Sequence, residues 1–310
     1  MNRTKTDVVN SPFTVELIRR AVQEDTGPPP GLDVTAQLCI PEAIHGRALI
    51  VARQRGVLSG SVLLPLVALE YDNALRVKPL CDDGELVNAG QTVAEVSGPM
   101  RALLSFERVG LNFLGALSGV ATLTRRYVDA IAIVPGSRAE IFDTRKTRPG
   151  YRQLEKYAVR CGGGQNHRMG LYDGVMIKDN HIAALRQQLG GRQTLADLTR
   201  HVRQRLDARD RPDTWLWLEV DTLDQLAEAL DGQGACGANV ILLDNMAPEV
   251  LRQAVALRDR VRAAGPPLLE ASGGITLANV AAVAATGVDR ISIGALTHSA
   301  PVLDVAMDLQ

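Results

Sequence analysis

The sequence predicts an α/β protein, a parallel α/β barrel with a smaller N-terminal α+β domain. Three observations predict it. From residue 139 onward, short apolar runs alternate with amphipathic stretches. Several of those stretches open on capping residues, and polar residues recur directly after the apolar runs. Strands are expected near 139–143, 175–177, 216–220, 240–243, 268–270 and 290–293. About six βα units give a closed or nearly closed barrel, short of the usual eight strands; a doubly wound open sheet is the alternative.

In chain order, residues 15–24 carry Val15, Ile18 and Val22 at helical spacing, and the proline-rich turn at 27–31 ends that helix. Between 48 and 96 the pattern shifts to β-like runs at 48–52, 74–77 and 92–96, separated by glycine turns. Residues 101–130 read as one long helix, apolar on more than one face and therefore buried between domains or subunits. The domain boundary falls inside it. The expected division is an N-terminal α+β domain over 1–118, a barrel over 119–295 and a C-terminal helix over 296–310. Helix starts in the barrel are marked by Thr194 with Asp197, by Thr222 with Gln225, and by Thr276 after Gly273-Gly274.

Composition narrows the function. A chain of 310 residues, 46% hydrophobic, supports a large core. Lys+Arg 34 against Asp+Glu 35 leaves a net charge of -1, so no global field draws the protein to nucleic acid or to an anionic membrane. Only 4% aromatic residues argues against base-stacking platforms. Cys39, Cys81, Cys161 and Cys236 form no C-x-x-C pair, so neither a zinc site nor a disulfide framework is signalled. The N-terminus is polar, and no apolar run approaches the roughly 18 residues of a membrane span. A cytoplasmic location is the expectation.

The residues that follow the strands are the chemical signal. In a βα barrel these ends gather on one face, so positions scattered along the chain converge on one pocket. Arg145, Lys146, Arg148, His167, Arg168 and Lys178 form a cationic set around Gly162-Gly163-Gly164, suited to a ligand with several negative charges. For Arg148 and Arg152 a solvated basic face is the better reading, and His167 alone reads as a structural histidine, raised only by Arg168 and the glycine loop. Glu219 and Asp244 end consecutive strands, where carboxylates can hold Mg²⁺ or sugar hydroxyls; Asp221 and Asn245 read as helix caps. The turns Ser272-Gly273-Gly274 and Gly294-Ala295 lie at the last two strand ends, the usual phosphate site of barrels.

Together, Asp143-Thr-Arg-Lys-Thr-Arg-Pro-Gly150, Gly162-Gly-Gly-Gln-Asn-His-Arg-Met-Gly-Leu-Tyr-Asp173, Ile177-Lys-Asp-Asn-His181, Leu242-Leu-Asp-Asn245 and Glu270-Ala-Ser-Gly-Gly-Ile275 resemble the quinolinate phosphoribosyltransferase family. Glu24-Asp25, Gly31-Leu-Asp-Val-Thr35, Glu107-Arg108 and Leu117-Ser-Gly-Val-Ala-Thr122 extend the resemblance over the N-terminal half. It implies transfer of phosphoribosyl from phosphoribosyl pyrophosphate to quinolinate, giving nicotinate mononucleotide, pyrophosphate and CO₂, with Mg²⁺, as a step of NAD biosynthesis. It also implies that Arg145, Lys146, His167, Arg168 and Lys178, beside Thr144, hold the dicarboxylate, while Arg108 reaches in from the partner of a homodimer with shared active sites. Lys146, Lys178, Glu219 and Asp244 are the expected catalytic residues, Glu219 and Asp244 serving ribose and metal; Ser272, Gly273, Gly274, Gly294 and Ala295 take the 5′-phosphate. Two departures stand out: the prolines 28–30, and Trp217 where the family commonly has an acidic residue. The rival functions are a related phosphoribosyltransferase for another base, such as the molybdenum-transport-associated relatives, and a Schiff-base aldolase using Lys178. A carrier module, suggested by Asp83-Gly84 and residues 90–96, lacks a lysine at the tip of its turn.

Overall fold

The computed structural model describes residues 5–29, 31–230, 236–261 and 265–310. The first four residues of the expected polar N-terminus, and Pro30 of the proline turn, lie outside them. Pro28 and Pro29 are exposed, in keeping with a surface turn. The chain forms two compact units, one of Met1–Arg126, Lys146–Asn166 and Gly294–Gln310, the other of Tyr127–Arg145 and His167–Ile293.

The first unit begins with α1 (Lys5–Val9), α2 (Pro12–Thr26) and α3 (Val34–Cys39), then β1 (His45–Ala52), β2 (Gly56–Val57), α4 (Leu64–Tyr71), β3 (Arg76–Pro79), β4 (Leu86–Val87) and β5 (Thr92–Pro99). The helix α5 (Met100–Ala132) follows, 33 residues or about 50 Å long. Its Leu103, Phe106, Phe113, Leu114, Leu117 and Val120 are buried, as its two apolar faces require. The expected division at 118/119 falls inside this continuous helix, whose residues pack with the first unit as far as Arg126.

The C-terminus departs from the expected helix over 296–310. In the structure a helix covers only Ala295–His298, and Val305–Leu309 is a strand paired antiparallel with β1 at the edge of a four-stranded sheet. Pro301 stops the helix because its ring cannot continue the hydrogen-bond ladder. The segment after it then crosses α5 at two glycines one turn apart: a Cβ at Gly119 would stand 1.9 Å from the Pro301 carbonyl oxygen, and one at Gly115 2.9 Å from that of Leu303. The Leu303 N–H donates to the Gly115 carbonyl at 3.0 Å.

The second unit contains β6 (Glu140–Phe142), then, after α6 (Arg152–Cys161) of the first unit, β7 (Gly174–Ile177), α7 (Asp179–Leu189), α8 (Leu195–Asp207), β8 (Trp215–Val220), α9 (Leu223–Leu230), β9 (Val240–Asp244), α10 (Pro248–Asp259), β10 (Leu268–Ser272), α11 (Val280–Ala284) and β11 (Arg290–Ser292). Thr194 and Asp197 form the expected capping box, and Thr222 caps through Gln225. All pairings are parallel, in the order β6-β11-β10-β9-β8-β7. Strands β7 to β11 stand in chain order and β6 joins β11. This is the circular order of a barrel wound in one direction, open between β6 and β7, and it lacks the reversal of a doubly wound sheet.

Because side chains alternate faces along a strand, register names the inner surface. Glu219, Leu242, Glu270, Arg290 and Glu140 lie side by side across five strands. Trp217 sits one pleat earlier on the same face, while Asp244 and Ser272, paired with each other, sit one pleat later. This face is therefore polar at its centre as well as at its mouth.

Candidate active site

Parallel register places the carboxyl ends of the strands along one edge of the barrel unit. Thr144 and Arg145 follow β6, Lys178 follows β7, Glu219 lies near the end of β8, and Asp244 and Ser272 end β9 and β10. Lys178 Nζ forms an ion pair with the Glu219 carboxylate, both side chains remaining partly accessible. The Lys178 N–H donates to His181 Nδ1 at 3.1 Å, fixing the chain at the start of α7.

Arg168 is half-buried at the head of a loop closed on itself. The Asp173 carboxylate accepts the N–H groups of Met169 and Gly170 at 2.7 and 2.9 Å, and Arg168 Nη1 donates to the Gly174 carbonyl at 2.7 Å. Burial lowers the affinity of this guanidinium for its proton, and the neighbouring Arg145 lowers it further, against the opposing pull of Asp173. Two cationic side chains that disfavour each other in a partly dry place are relieved by an anionic ligand. His167 differs from its expected place: it is 7% exposed and its ring stacks on Trp217 with centroids 4.5 Å apart. Its Nδ1 accepts the Arg168 N–H at 2.7 Å, and its Nε2 faces Glu270. Each ring nitrogen thus has a protein group beside it, the Arg168 N–H at Nδ1 and the Glu270 carboxylate at Nε2.

The Ser272-Gly273-Gly274 turn meets the turn at Asn245 around a cavity of about 260 Å³. Asn245, Gly273 and Gly274 all have left-handed backbone (φ 54, 84 and 63°), and the Asn245 N–H donates to the Ser272 carbonyl at 2.8 Å. Gly273 is required twice, by its φ and because a Cβ would lie 2.9 Å from the Asn245 nitrogen. Asn245 is not a helix cap, since α10 begins after Ala247, and α11 begins at Val280 rather than at Thr276. Asn279 closes the intervening turn, accepting from the Thr276 N–H and donating to the Gly274 carbonyl. Asp221 is likewise no cap; Thr222 takes that role.

Within the first unit, the Lys146 chain passes Gly294, whose added Cβ would lie 3.0 Å from Lys146 Cδ and 3.2 Å from His298 Nε2. Thr297 Oγ1 donates to the Lys146 carbonyl at 2.7 Å, so Lys146, Gly294, Ala295 and His298 form one group. Arg108 points out from α5 with 65% of its side chain exposed, and Glu107 is 3.8 Å away. Arg148 pairs with the buried Glu155, and Arg152 donates to Thr147, so both engage the protein rather than forming only a solvated basic face.

Glu219 and Asp244 supply oxygen ligands alone, and among the described residues no group of three or more His, Cys, Asp or Glu could cage a metal. That donor set fits Mg²⁺, which keeps water and takes its other ligands from substrate oxygens, and it does not fit a structural zinc.

The sequence matches the family model described as quinolinate phosphoribosyl transferase, N-terminal domain, over residues 33–118, and the C-terminal domain model over 120–308. The chain belongs to the quinolinate phosphoribosyltransferase family. A nicotinate-nucleotide pyrophosphorylase (carboxylating) of Mycobacterium leprae is 41% identical over 296 residues, 95% of this chain and 96% of its own length. A probable nicotinate-nucleotide pyrophosphorylase (carboxylating) of Bacillus subtilis is 40% identical over 277 residues, 89% of this chain and 88% of its own. Among solved structures, the nicotinate-nucleotide pyrophosphorylase of Francisella tularensis aligns with a TM-score of 0.82 at 34% identity, covering 98% of this chain and 99% of that one. Neighbours of the candidate residues that sequence reasoning did not single out are His298, beside Gly294, and Glu270 with Arg290 in mid-strand. The signal for the latter pair was alternation: Trp217-Leu-Glu219, Glu270-Ala-Ser272 and Arg290-Ile-Ser292 each put polar or aromatic groups on one face.

Proposed function

We propose that this chain transfers phosphoribosyl from phosphoribosyl pyrophosphate to quinolinate with decarboxylation, giving nicotinate mononucleotide, pyrophosphate and CO₂ in NAD biosynthesis. It is then a pentosyltransferase. The observation that carries the reading is the edge of the barrel unit, where Arg145, Arg168 and Lys178 face a dicarboxylate's charge and Glu219 and Asp244 supply the oxygens that suit ribose and metal.

Arg168, with a planar two-pronged donor, takes one carboxylate of quinolinate. Arg145, Lys146 and Lys178, beside Thr144, balance the rest of its charge. The pyridine nitrogen attacks C1′ of the ribose and the C1′–pyrophosphate bond breaks, so positive charge develops at C1′. Glu219 and Asp244 hold the ribose hydroxyls and would hold a Mg²⁺, which would supply charge neutralisation for the pyrophosphate leaving group. The turns at Ser272, Gly273 and Gly274, and at Gly294 and Ala295, hold the 5′-phosphate through backbone N–H groups. Once the ring nitrogen is ribosylated, its positive charge stabilises the electron pair left on the adjacent carbon as CO₂ departs, and that pair takes a proton from water. The protein's work is positioning, with no covalent intermediate.

The homodimer is part of the proposal, with Arg108 of each subunit serving its partner's site; the exposure of Arg108 on α5 supports it. A cytoplasmic location is proposed on the spacing of the four cysteines, which form no C-x-x-C pair. Among the described residues no helix is long and apolar enough to cross a membrane. A panel of bases tests the reaction: quinolinate with phosphoribosyl pyrophosphate and Mg²⁺ yields nicotinate mononucleotide, while a preference for another base reassigns the acceptor. Borohydride trapping at Lys178 with carbonyl substrates is expected to fail, because its amine is engaged by Glu219.

A further inference from the structure

We infer that Glu270 is a positioning residue for the quinolinate carboxylate, acting through His167 on Arg168. The inference rests on the proposed function in assigning Arg168 its ligand.

Glu270 is fully buried in the middle of β10. Its Oε2 accepts from Arg290 Nε at 2.7 Å and from Trp217 Nε1 at 3.3 Å. The Arg290 guanidinium lies over the Phe142 ring, 3.5 Å from its centroid. Strands β6, β8, β10 and β11 thus each contribute one side chain to a single buried cluster. The other carboxylate oxygen, Oε1, accepts no hydrogen bond among the described residues and faces His167 Nε2 at 3.5 Å.

That placement decides the state of the histidine. The Arg168 N–H donates to Nδ1, which must therefore carry no proton, and the ring proton sits on Nε2. A carboxylate facing Nε2 favours that tautomer over the other. The imidazole is further held by its stack on Trp217, and its own backbone N–H donates to the buried Asp143 carboxylate at 2.8 Å. The main chain at Arg168 is consequently anchored on both sides of its peptide, and the guanidinium reaches the Gly174 carbonyl from a fixed origin. A buried ion pair is seldom the most stable filling for a barrel interior, because apolar side chains of similar volume avoid the desolvation of both charges. Its use here is accounted for by the tautomer it selects. Trp217 supplies the second donor to Oε2 and the surface on which His167 lies.

The test has a spectroscopic arm and a binding arm. In protein labelled with ¹⁵N at its five histidines, His167, assigned by the signal lost in His167→Asn, is expected to show a protonated Nε2 and a bare Nδ1. Glu270→Gln removes the charge; because it leaves Arg290 uncompensated, it is paired with a second variant, Glu270→Gln/Arg290→Met, that removes both charges together. Calorimetry on whichever variant keeps the wild-type circular dichroism is expected to find quinolinate binding weaker by about tenfold or more, phosphoribosyl pyrophosphate binding within about twofold of wild type, and a mixed His167 tautomer. Unchanged quinolinate affinity in a folded variant, equal weakening of both substrates, or a wild-type ring protonated at Nδ1 each overturns the inference. If the wild type binds another base in place of quinolinate, the functional reading fails, and the tautomer together with affinity for that base still decides the role of Glu270.

Discussion

On the proposed function, Arg168 would recognise a carboxylate by shape as well as charge. Its guanidinium spends one arm on the Gly174 carbonyl and is held in a partly dry place beside Arg145, so the remaining donors are aimed rather than mobile. Arg168→Lys replaces that fork with a point charge, and a loss of about 1.5–3 kcal/mol in quinolinate binding is expected, with little change for phosphoribosyl pyrophosphate. Calorimetric titration with each substrate separates the two; equal losses contradict the assignment. At this scale Arg145, Lys146 and Lys178 were legible as candidates because each follows an apolar strand, whereas Arg168 stood out only through the glycine loop before it. Glu270 was not legible as a partner of His167, since they are 103 positions apart, 270 against 167, and only strand register brings them together. His167 was legible as a candidate but not in its role, because sequence does not say which way a ring faces.

Among the elements, the six strands of the barrel unit were legible from apolar runs, and the structure places each within one or two residues of its expected ends. The last fifteen residues were not. Helical expectation at 296–310 overlooked Pro301, and nothing local says that 305–309 will extend a sheet whose other strands lie more than 200 residues earlier. The crossing of α5 by this segment makes a sharp demand on Gly119, where a methyl group would meet a backbone oxygen. Gly119→Ala is expected to destabilise the protein by about 1–3 kcal/mol despite the better helix propensity of alanine, read as a lowered Tm. A raised Tm contradicts the close crossing.

For the whole molecule, fold class and family were legible because their motifs span both halves of the chain, whereas the compact units do not follow chain order: residues 146–166 and 294–310 return to the first unit. Two predictions belong here. On the proposed role of Glu219 and Asp244 in catalysis, chelating divalent metal should abolish turnover while leaving the Tm near its original value; full activity in excess chelator contradicts this. The shared-site dimer is tested by mixing inactive Arg108→Ala and Lys146→Ala proteins under subunit exchange. One site of each mixed dimer then carries both lesions and the other neither, so activity should return. Confirmed exchange without activity, or full activity of Arg108→Ala alone, contradicts sharing. The most direct measurement follows quinolinate labelled at its 2-carboxylate with the wild-type protein, phosphoribosyl pyrophosphate and Mg²⁺. The account predicts labelled CO₂, pyrophosphate and unlabelled nicotinate mononucleotide in equal amounts, with nicotinate giving no product. Nicotinate turnover at a comparable rate, or mononucleotide formed without CO₂, contradicts it.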